Sequence, residues 1–261
     1  MKDDELRAIQ ERNRAQYSRV AETYAISESH AGGDDLDWFA TRATSVVPGV
    51  ALDVACGGGF ATRALIAAGH RVVASDLTPE SVAAARGSTD RPALGWLAGA
   101  AERLPVRTSS VPLVTCRIAP HHFGDVARFV DEVARVLTPG GMFLLVDTTV
   151  PEDDGLARWL DDVERLRDPS HGQSWAPSRW RAVCTGARLS VVETMLTRKR
   201  HALEPWLARS GCVGDRAEEV RRVFREAPHA MRSTYSIELD PAGAVVAYTD
   251  TKICLRAVKP A

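Results

Sequence analysis

The sequence predicts an α/β fold: a doubly wound, mostly parallel sheet, with helices ahead of it and a helical cap inserted behind it. Three observations carry that expectation. Between residues 50 and 147, short apolar runs alternate with helical stripes at the spacing of strand–helix–strand crossovers. The first of those runs ends in Gly57, Gly58 and Gly59, a turn that lets a backbone approach a ligand and aims helix N–H groups at it. No repeat, low-complexity stretch or clear linker divides the 261 residues, so one domain is the economical reading.

The elements follow in order. A helix is expected over residues 4–25, capped by Asp4, with Leu6, Ile9, Tyr17, Val20, Ala21 and Tyr24 on one face. Ser27 to Asp37 is polar, holds Gly32 and Gly33, and reads as a loop. A short helix over Trp38 to Val46 stops before Pro48 and Gly49. The sheet then opens with a strand at Val50 to Ala55 and a helix at Ala61 to Ala68, closed by Gly69. Next come a strand at Arg71 to Ser75, a helix at Pro79 to Arg86, a weak strand at Leu94 to Ala98 and a strand at Val111 to Ile118. Asp125 caps a helix whose stripe is Val126, Phe129, Val130, Val133, Val136 and Leu137. Pro139, Gly140 and Gly141 end it ahead of a buried-type strand at Met142 to Asp147. Beyond Asp147 the pattern changes to a helix at Leu156 to Leu166, a loop at 168–172, a helix near Ser178 to Thr185 and a strand near Leu189 to Thr197. A helix at Asp215 to Ala227 follows, then strands at Tyr235 to Leu239 and Lys252 to Val258 around a turn at Pro241 to Gly243.

Composition narrows the partners. A formal net charge of −1 supplies no global field for nucleic acid or an anionic membrane. The basic residues are mostly arginine, which an Ala-rich, Asn-poor composition explains without a phosphate-binding role. Five widely spaced cysteines with no CxxC argue against a disulfide framework or a zinc site, so reduced thiols and a cytoplasmic setting are expected, with no metal. Neither an apolar leader nor an apolar run long enough for a membrane span is visible.

Ligands of such sheets bind outside the carboxyl ends of the strands. There, Asp53 stands four residues before Gly57, and Asp76 ends the next strand, where an acid can accept from both hydroxyls of a ribose. A nicotinamide-dinucleotide fingerprint would require a third glycine at position 62, which is Thr62, and has no use for an acid at Asp53. An acid there suits a cofactor with an ammonium group, as in S-adenosylmethionine.

Three further stretches sharpen this. They are Gly99-Ala-Ala-Glu-Arg-Leu-Pro105, Val114-Thr-Cys-Arg-Ile-Ala-Pro-His-His-Phe123 and Arg135-Val-Leu-Thr-Pro-Gly-Gly141. With the glycine loop they resemble class I S-adenosylmethionine-dependent methyltransferases of the ubiquinone/menaquinone C-methyltransferase-like group, well over residues 15–150 and more loosely beyond. The resemblance implies a Rossmann-like, seven-stranded sheet with an antiparallel last strand. It implies lid helices over 1–47, a cofactor-binding core over 48–150, a helical cap or substrate region over 151–235 with one core helix and strand, and final strands over 236–261. It assigns cofactor contact to Tyr24, Asp53, Ala55, Cys56, Gly57, Gly59, Asp76, Leu77, Ala100, Ala101, Glu102 and Arg117. Leu77 would pack on adenine and Arg117 would lie beside the methionine end. Two positions depart from the family pattern: Ala55 replaces the first loop glycine, and Ala100 replaces an aspartate that binds the adenine amino group.

For the chemistry, His121 and His122 follow the fourth strand and Asp147 ends the fifth. By analogy with sugar O-methyltransferases of the same group, His121 is expected as base and Asp147 as its partner; a structural role for the His pair under the cofactor is the competing reading. His171, in the 168–172 loop, and Trp175 are expected at the substrate, with Trp159, Trp180 and Trp206 either lining an aromatic pocket or stapling the cap. Cys56 and Cys116 read as small buried residues rather than nucleophiles. The expected function is methyl transfer from S-adenosylmethionine to oxygen or carbon of a small molecule, a natural product or quinone-like metabolite, by a monomer or homodimer. The alternative is a protein that uses the cofactor structurally or electrostatically, as in a cyclisation.

Overall fold

The computed structural model describes residues 1–90 and 93–261. Its sheet contains β1 (Val50–Val54), β2 (Arg71–Asp76), β3 (Gly95–Ala98), β4 (Val111–Arg117), β5 (Leu137–Thr149), β6 (Ser190–Ala202), β7 (Glu238–Leu239) and β8 (Val245–Val258). The order is β3-β2-β1-β4-β5-β8-β6, with β7 paired to β8. Strands β1 to β5 run parallel, and β8 runs antiparallel to β5 and β6. The two-residue β7 is the eighth strand where seven were expected. The strand order switches sides between β1 and β4, and the crevice that receives a ligand opens at that point, outside the carboxyl ends of the strands.

Period-two alternation assigns each strand residue a face. Phe143 and Leu145 of β5 pack with α6 (Val126–Val136) and α8 (Pro177–Gly186), beside Leu52, Val54 and Val114. Leu144 and Val146 point the other way, toward α3 (Asp34–Thr44), α4 (Phe60–Ala67) and α5 (Pro79–Gly87). Helix α6 forms as its pattern predicts: the Asp125 carboxylate accepts from the Arg128 N–H at 3.0 Å, and Phe129, Val130, Val133 and Val136 are fully buried. A third cluster joins α7 (Asp154–Arg167), α9 (Leu203–Arg209) and α10 (Asp215–Arg225) to Tyr248 of β8.

Several boundaries differ from expectation, each for a local reason. Helix α1 (Asp3–Ala25) begins one residue early, with Lys2 at its cap position and the Glu5 carboxylate accepting the Lys2 N–H at 3.3 Å; Asp4 sits in the first turn and does not cap. A four-residue helix, α2 (Glu28–Ala31), occupies part of the expected loop. The turn at Pro139 to Gly141 lies inside β5 as an irregularity opposite Val111 and Leu113, with Gly140 at φ +73°. Strands β6 and β8 pair from Ser190↔Val258 to Ala202↔Ala247, well past the apolar residues that mark them in the sequence. Their polar ends, such as Arg198 to Arg200 opposite Thr249 to Thr251, carry no alternation to read. Helix α9 begins directly from β6 without a side-chain cap, and α11 (His229–Thr234) follows Pro228; both lacked a start signal.

Candidate active site

One cavity runs across the carboxyl ends of β1, β2, β4 and β5 and under α1. At its outer end the glycine loop and the β2 acid are tied directly: the Gly57 N–H donates to Asp76 Oδ2 at 2.9 Å. The Thr78 N–H fixes the other oxygen at 3.2 Å, so the carboxylate is held facing the cavity. Burial pushes the Asp76 carboxyl up, against the N–H donors of Gly57, Thr78 and Leu77. Gly57 and Gly59 take φ +49° and +79°, and Gly58 lies so close to α1 that a Cβ would meet Tyr24 O and Ala25 Cα at 2.7 Å. Ala55 itself sits at φ +56°, the left-handed region where glycine is unstrained, which is the physical reason for the family's glycine.

Of the expected cofactor residues, Tyr24, Ala55, Cys56, Gly57, Asp76, Leu77, Ala101, Glu102 and Arg117 line this cavity. Three do not. Gly59 caps α4 behind the loop, and Ala100 is turned away while its neighbour Ala101 faces in. Asp53 corrects the ammonium reading: it is 1% exposed, with Thr62 Oγ1 donating to Oδ2 at 2.6 Å and Thr115 Oγ1 to Oδ1 at 2.9 Å. It braces β1 against α4 and β4, and Thr62, at the position of a dinucleotide glycine, is its partner. Burial pushes its carboxyl up to about 6. Glu102 faces the cavity but is committed, accepting from Gln10 Nε2 and the Gly124 N–H, each at 3.0 Å. Arg117 is held by Asp35 at 2.6 Å and donates to His30 O at 3.1 Å.

Farther in, His121 Nδ1 lies 2.5 Å from Asp147 Oδ1, and the His121 ring faces the cavity. Burial drives the imidazole down to about 3, helped by the charge of His171. Burial also pushes Asp147 up to about 7, although the Thr148 N–H and the Lys252 charge oppose it. His122 is different. Its Nδ1 faces Ser170 O at 3.1 Å, an oxygen that can only accept, so the proton is on Nδ1 and Nε2 accepts from Tyr17 Oη at 2.5 Å. Both nitrogens are occupied, which corrects the expectation of a catalytic His122: it latches α1 to the site. Asn13 reinforces the latch by donating to His122 O at 2.6 Å.

The two expected substrate residues lie outside the cavity wall. His171 is buried behind His121, ring centroids 5.5 Å apart, and bonded to Asp161 at 2.8 Å. Trp175 packs on Trp180 beneath Arg179, within the α6–α8 core. Trp159 stacks on Tyr235, so of the four cap tryptophans Trp206 alone lines the cavity.

What the sequence left unread is the inner wall: Glu164 and Arg167 of α7, Lys199 and His201 of β6, Arg209 of α9, Asp250 and Lys252 of β8. Asp250 and Lys252 share one face of β8, and Lys252 Nζ donates to Asp250 at 2.6 Å and to Thr148 Oγ1 at 2.8 Å. A lysine two residues from an aspartate at the head of an apolar strand was the available signal.

The outer end fits an adenosyl cofactor: a fixed acceptor carboxylate at Asp76, an apolar wall at Leu77 and Phe60, and a glycine turn open to a ligand. Comparison with known proteins agrees. A methyltransferase-domain family model matches residues 52–145. The uncharacterised methyltransferase YcgJ of Bacillus subtilis is 30% identical over 250 residues, covering 95% of this chain and 99% of the relative. A proposed methyltransferase of Bacillus halodurans matches in structure with a TM-score of 0.83 at 31% identity, over 88% of this chain and 100% of that one. Demethylmenaquinone methyltransferase of Chlorobaculum tepidum is 34% identical over 103 residues, which is 39% of this chain and 42% of its own. No helix among the described residues is long and apolar enough to cross a membrane. By fold, by loop and by kinship over nearly its whole length, this chain belongs to the class I S-adenosylmethionine-dependent methyltransferases, and S-adenosylmethionine is its cofactor.

Proposed function

We propose that this enzyme methylates an oxygen or an acidic carbon of a small molecule, with His121 as general base and Asp147 as the residue that positions it. The observation that carries this reading is the 2.5 Å contact between His121 Nδ1 and Asp147 Oδ1 at the cavity wall. Above its raised pKa of about 7 the Asp147 carboxylate is ionised and only accepts, and in that form it keeps the proton on Nδ1 and leaves the Nε2 lone pair to the substrate. With its pKa driven down by burial, the imidazole is neutral at physiological pH, so its Nε2 lone pair is free, and the Asp147 carboxylate offsets the burial cost of the imidazolium when the proton arrives.

Bound S-adenosylmethionine supplies an activated methyl carbon on a sulfonium, whose carbon–sulfur bond breaks with its electron pair left on sulfur. The chain's own residues do the rest. His121 removes the proton of the attacking O–H or C–H at Nε2. Asp147 favours the cationic imidazolium that results. Asp76 fixes the ribose end, and α1, held by Tyr17 and Asn13, works as a lid that keeps water out of the reacting space.

The test is titration of the purified protein with S-adenosylmethionine and S-adenosylhomocysteine, with NADH as control, followed by a mass-monitored screen of hydroxylated and C–H-acidic small molecules. Micromolar binding of the adenosyl ligands is expected, weakened about 10–100-fold in Asp76→Ala because hydrogen bonds to a charged acceptor are lost. Products should gain one methyl group as S-adenosylhomocysteine appears. Preference for NADH, or cofactor turnover without any methylated product, would sink the reading.

A further inference from the structure

The inner wall of the cavity holds more cationic donors than the chain itself uses. Arg117 and Lys199 both rest on Asp35, at 2.6 and 3.0 Å, and Lys252 rests on Asp250 at 2.6 Å. Arg167 is 6% exposed and lies at 3.5 Å from Glu164 and 3.9 Å from Asp168, too far for good hydrogen bonds, and its Nε is buried without a partner. Arg209 has no ion-pair partner among the described residues, and its Nε is likewise buried and unbonded. A cation in the last turn of α9 is favourable to that helix, but this accounts for the charge of Arg209 and leaves its buried N–H unsatisfied.

The surroundings show the same excess. Burial depresses both His30 and His201, and the charges of Arg209 and Lys252 push each the same way, joined at His30 by Arg117 and Lys199 and opposed at His201 by Asp250, so these cations act on a shared space. The Arg167 guanidinium carbon lies over the Trp206 ring, 4.4 Å from its centroid, a contact that restrains its fork. A neutral substrate would leave this cationic wall facing a cationic sulfonium, whereas an anion compensates both.

We propose that the inner end of the cavity is an anion subsite, and that the substrate is a small molecule bearing a carboxylate or phosphate received by Arg167 and Arg209, with a separate hydroxyl or acidic carbon left facing His121. The assignment to substrate rests on the methyl-transfer reading above; anion binding by itself does not. Planar forks of two arginines suit both anion types, because each presents paired N–H donors to paired oxygens.

The experiment titrates the full-length protein, saturated with S-adenosylhomocysteine, with salicylate, phenyl phosphate and the neutral salicylamide at constant ionic strength. At least one anion should bind tenfold or more tightly than salicylamide, and the better of the two names the anion type. Arg209→Gln should weaken that anion at least tenfold while S-adenosylhomocysteine affinity stays within twofold. Arg209→Lys, which keeps the charge and loses the fork, should fall between. Equal binding of anions and amide, no anion binding, or unchanged anion affinity in Arg209→Gln overturns the proposal. S-adenosylhomocysteine titrations of the same samples report separately on the methyl-transfer reading: failure there with anion binding intact removes that reading and supports the subsite.

Discussion

The two ends of the cavity are built by different means. The outer end is built around a stretch of backbone: a glycine turn after β1, whose Gly57 N–H is held by the single acid that closes β2. All of it comes from residues within one crossover of each other. The inner end is made of side chains from α7, β6, α9 and β8, brought together from widely separated positions. The first depends on local conformation that few residues can adopt. The second depends on which faces of late elements meet, and its residues can change without disturbing the sheet. A fold of this kind can therefore keep one cofactor while its substrate chamber diverges.

His121→Ala is the hardest test of that contrast. Turnover should fall about 10²–10⁴-fold, the usual worth of a positioned base, while S-adenosylhomocysteine affinity is unchanged. An equal loss of cofactor affinity would mean that the two ends are not separable.

Asp147→Asn tests the coupling between chemistry and stability. The folded-state carboxyl is pushed up to about 7 by burial, whereas an unfolded aspartate titrates near ~3.9. Between those values the folded chain holds a proton that the unfolded chain has released, so the parent protein loses stability as pH rises from about 4 to about 7. Asparagine removes that loss and its Oδ1 still accepts from His121. The variant should therefore be more stable than the parent by roughly 2–4 kcal/mol at pH 8, with the difference vanishing toward pH 4, and yet be impaired in turnover. Melting curves at pH 4, 6 and 8 read this, and a variant less stable at pH 8 would contradict the dyad's ionisation.

Ala55→Gly should show the smallest effect. Relief of the φ +56° strain is worth about 1 kcal/mol, or 2–4 °C in Tm for a chain of this size, if the loop conformation is fixed by the sheet rather than by the ligand. No gain in the ligand-free protein would show that the loop relaxes when empty.

The same contrast explains what the sequence disclosed. The parallel strands, the Asp125-capped α6 and the Gly57–Asp76 pairing rest on apolar periodicity, capping chemistry and glycine conformation, all local properties. The His121–Asp147 contact was legible because one residue closely follows β4 and the other lies near the carboxyl end of its parallel neighbour β5. Asp53 was misassigned because its position on β1 is visible in the sequence, while the Thr62 and Thr115 hydroxyls that claim it come from two other elements. His171 and Trp175 were placed at the substrate from their position in the cap, yet tertiary packing turns one toward Asp161 and the other toward Trp180. Arg167 and Arg209 went unread because nothing in a linear pattern distinguishes a cation aimed into a cavity from one on a solvated face.

Cys56 adds a practical consequence. All five cysteines are free and buried, but Cys56 alone among them lies in the cavity wall, and burial holds its thiol well above the ordinary range. While α1 covers the loop, this sulfur is both shielded and protonated, so alkylating reagents meet almost no thiolate. Each lifting of the helix would expose it briefly. The pace at which a small maleimide labels Cys56 is then a clock for the opening of the chamber, readable by mass without any knowledge of the substrate.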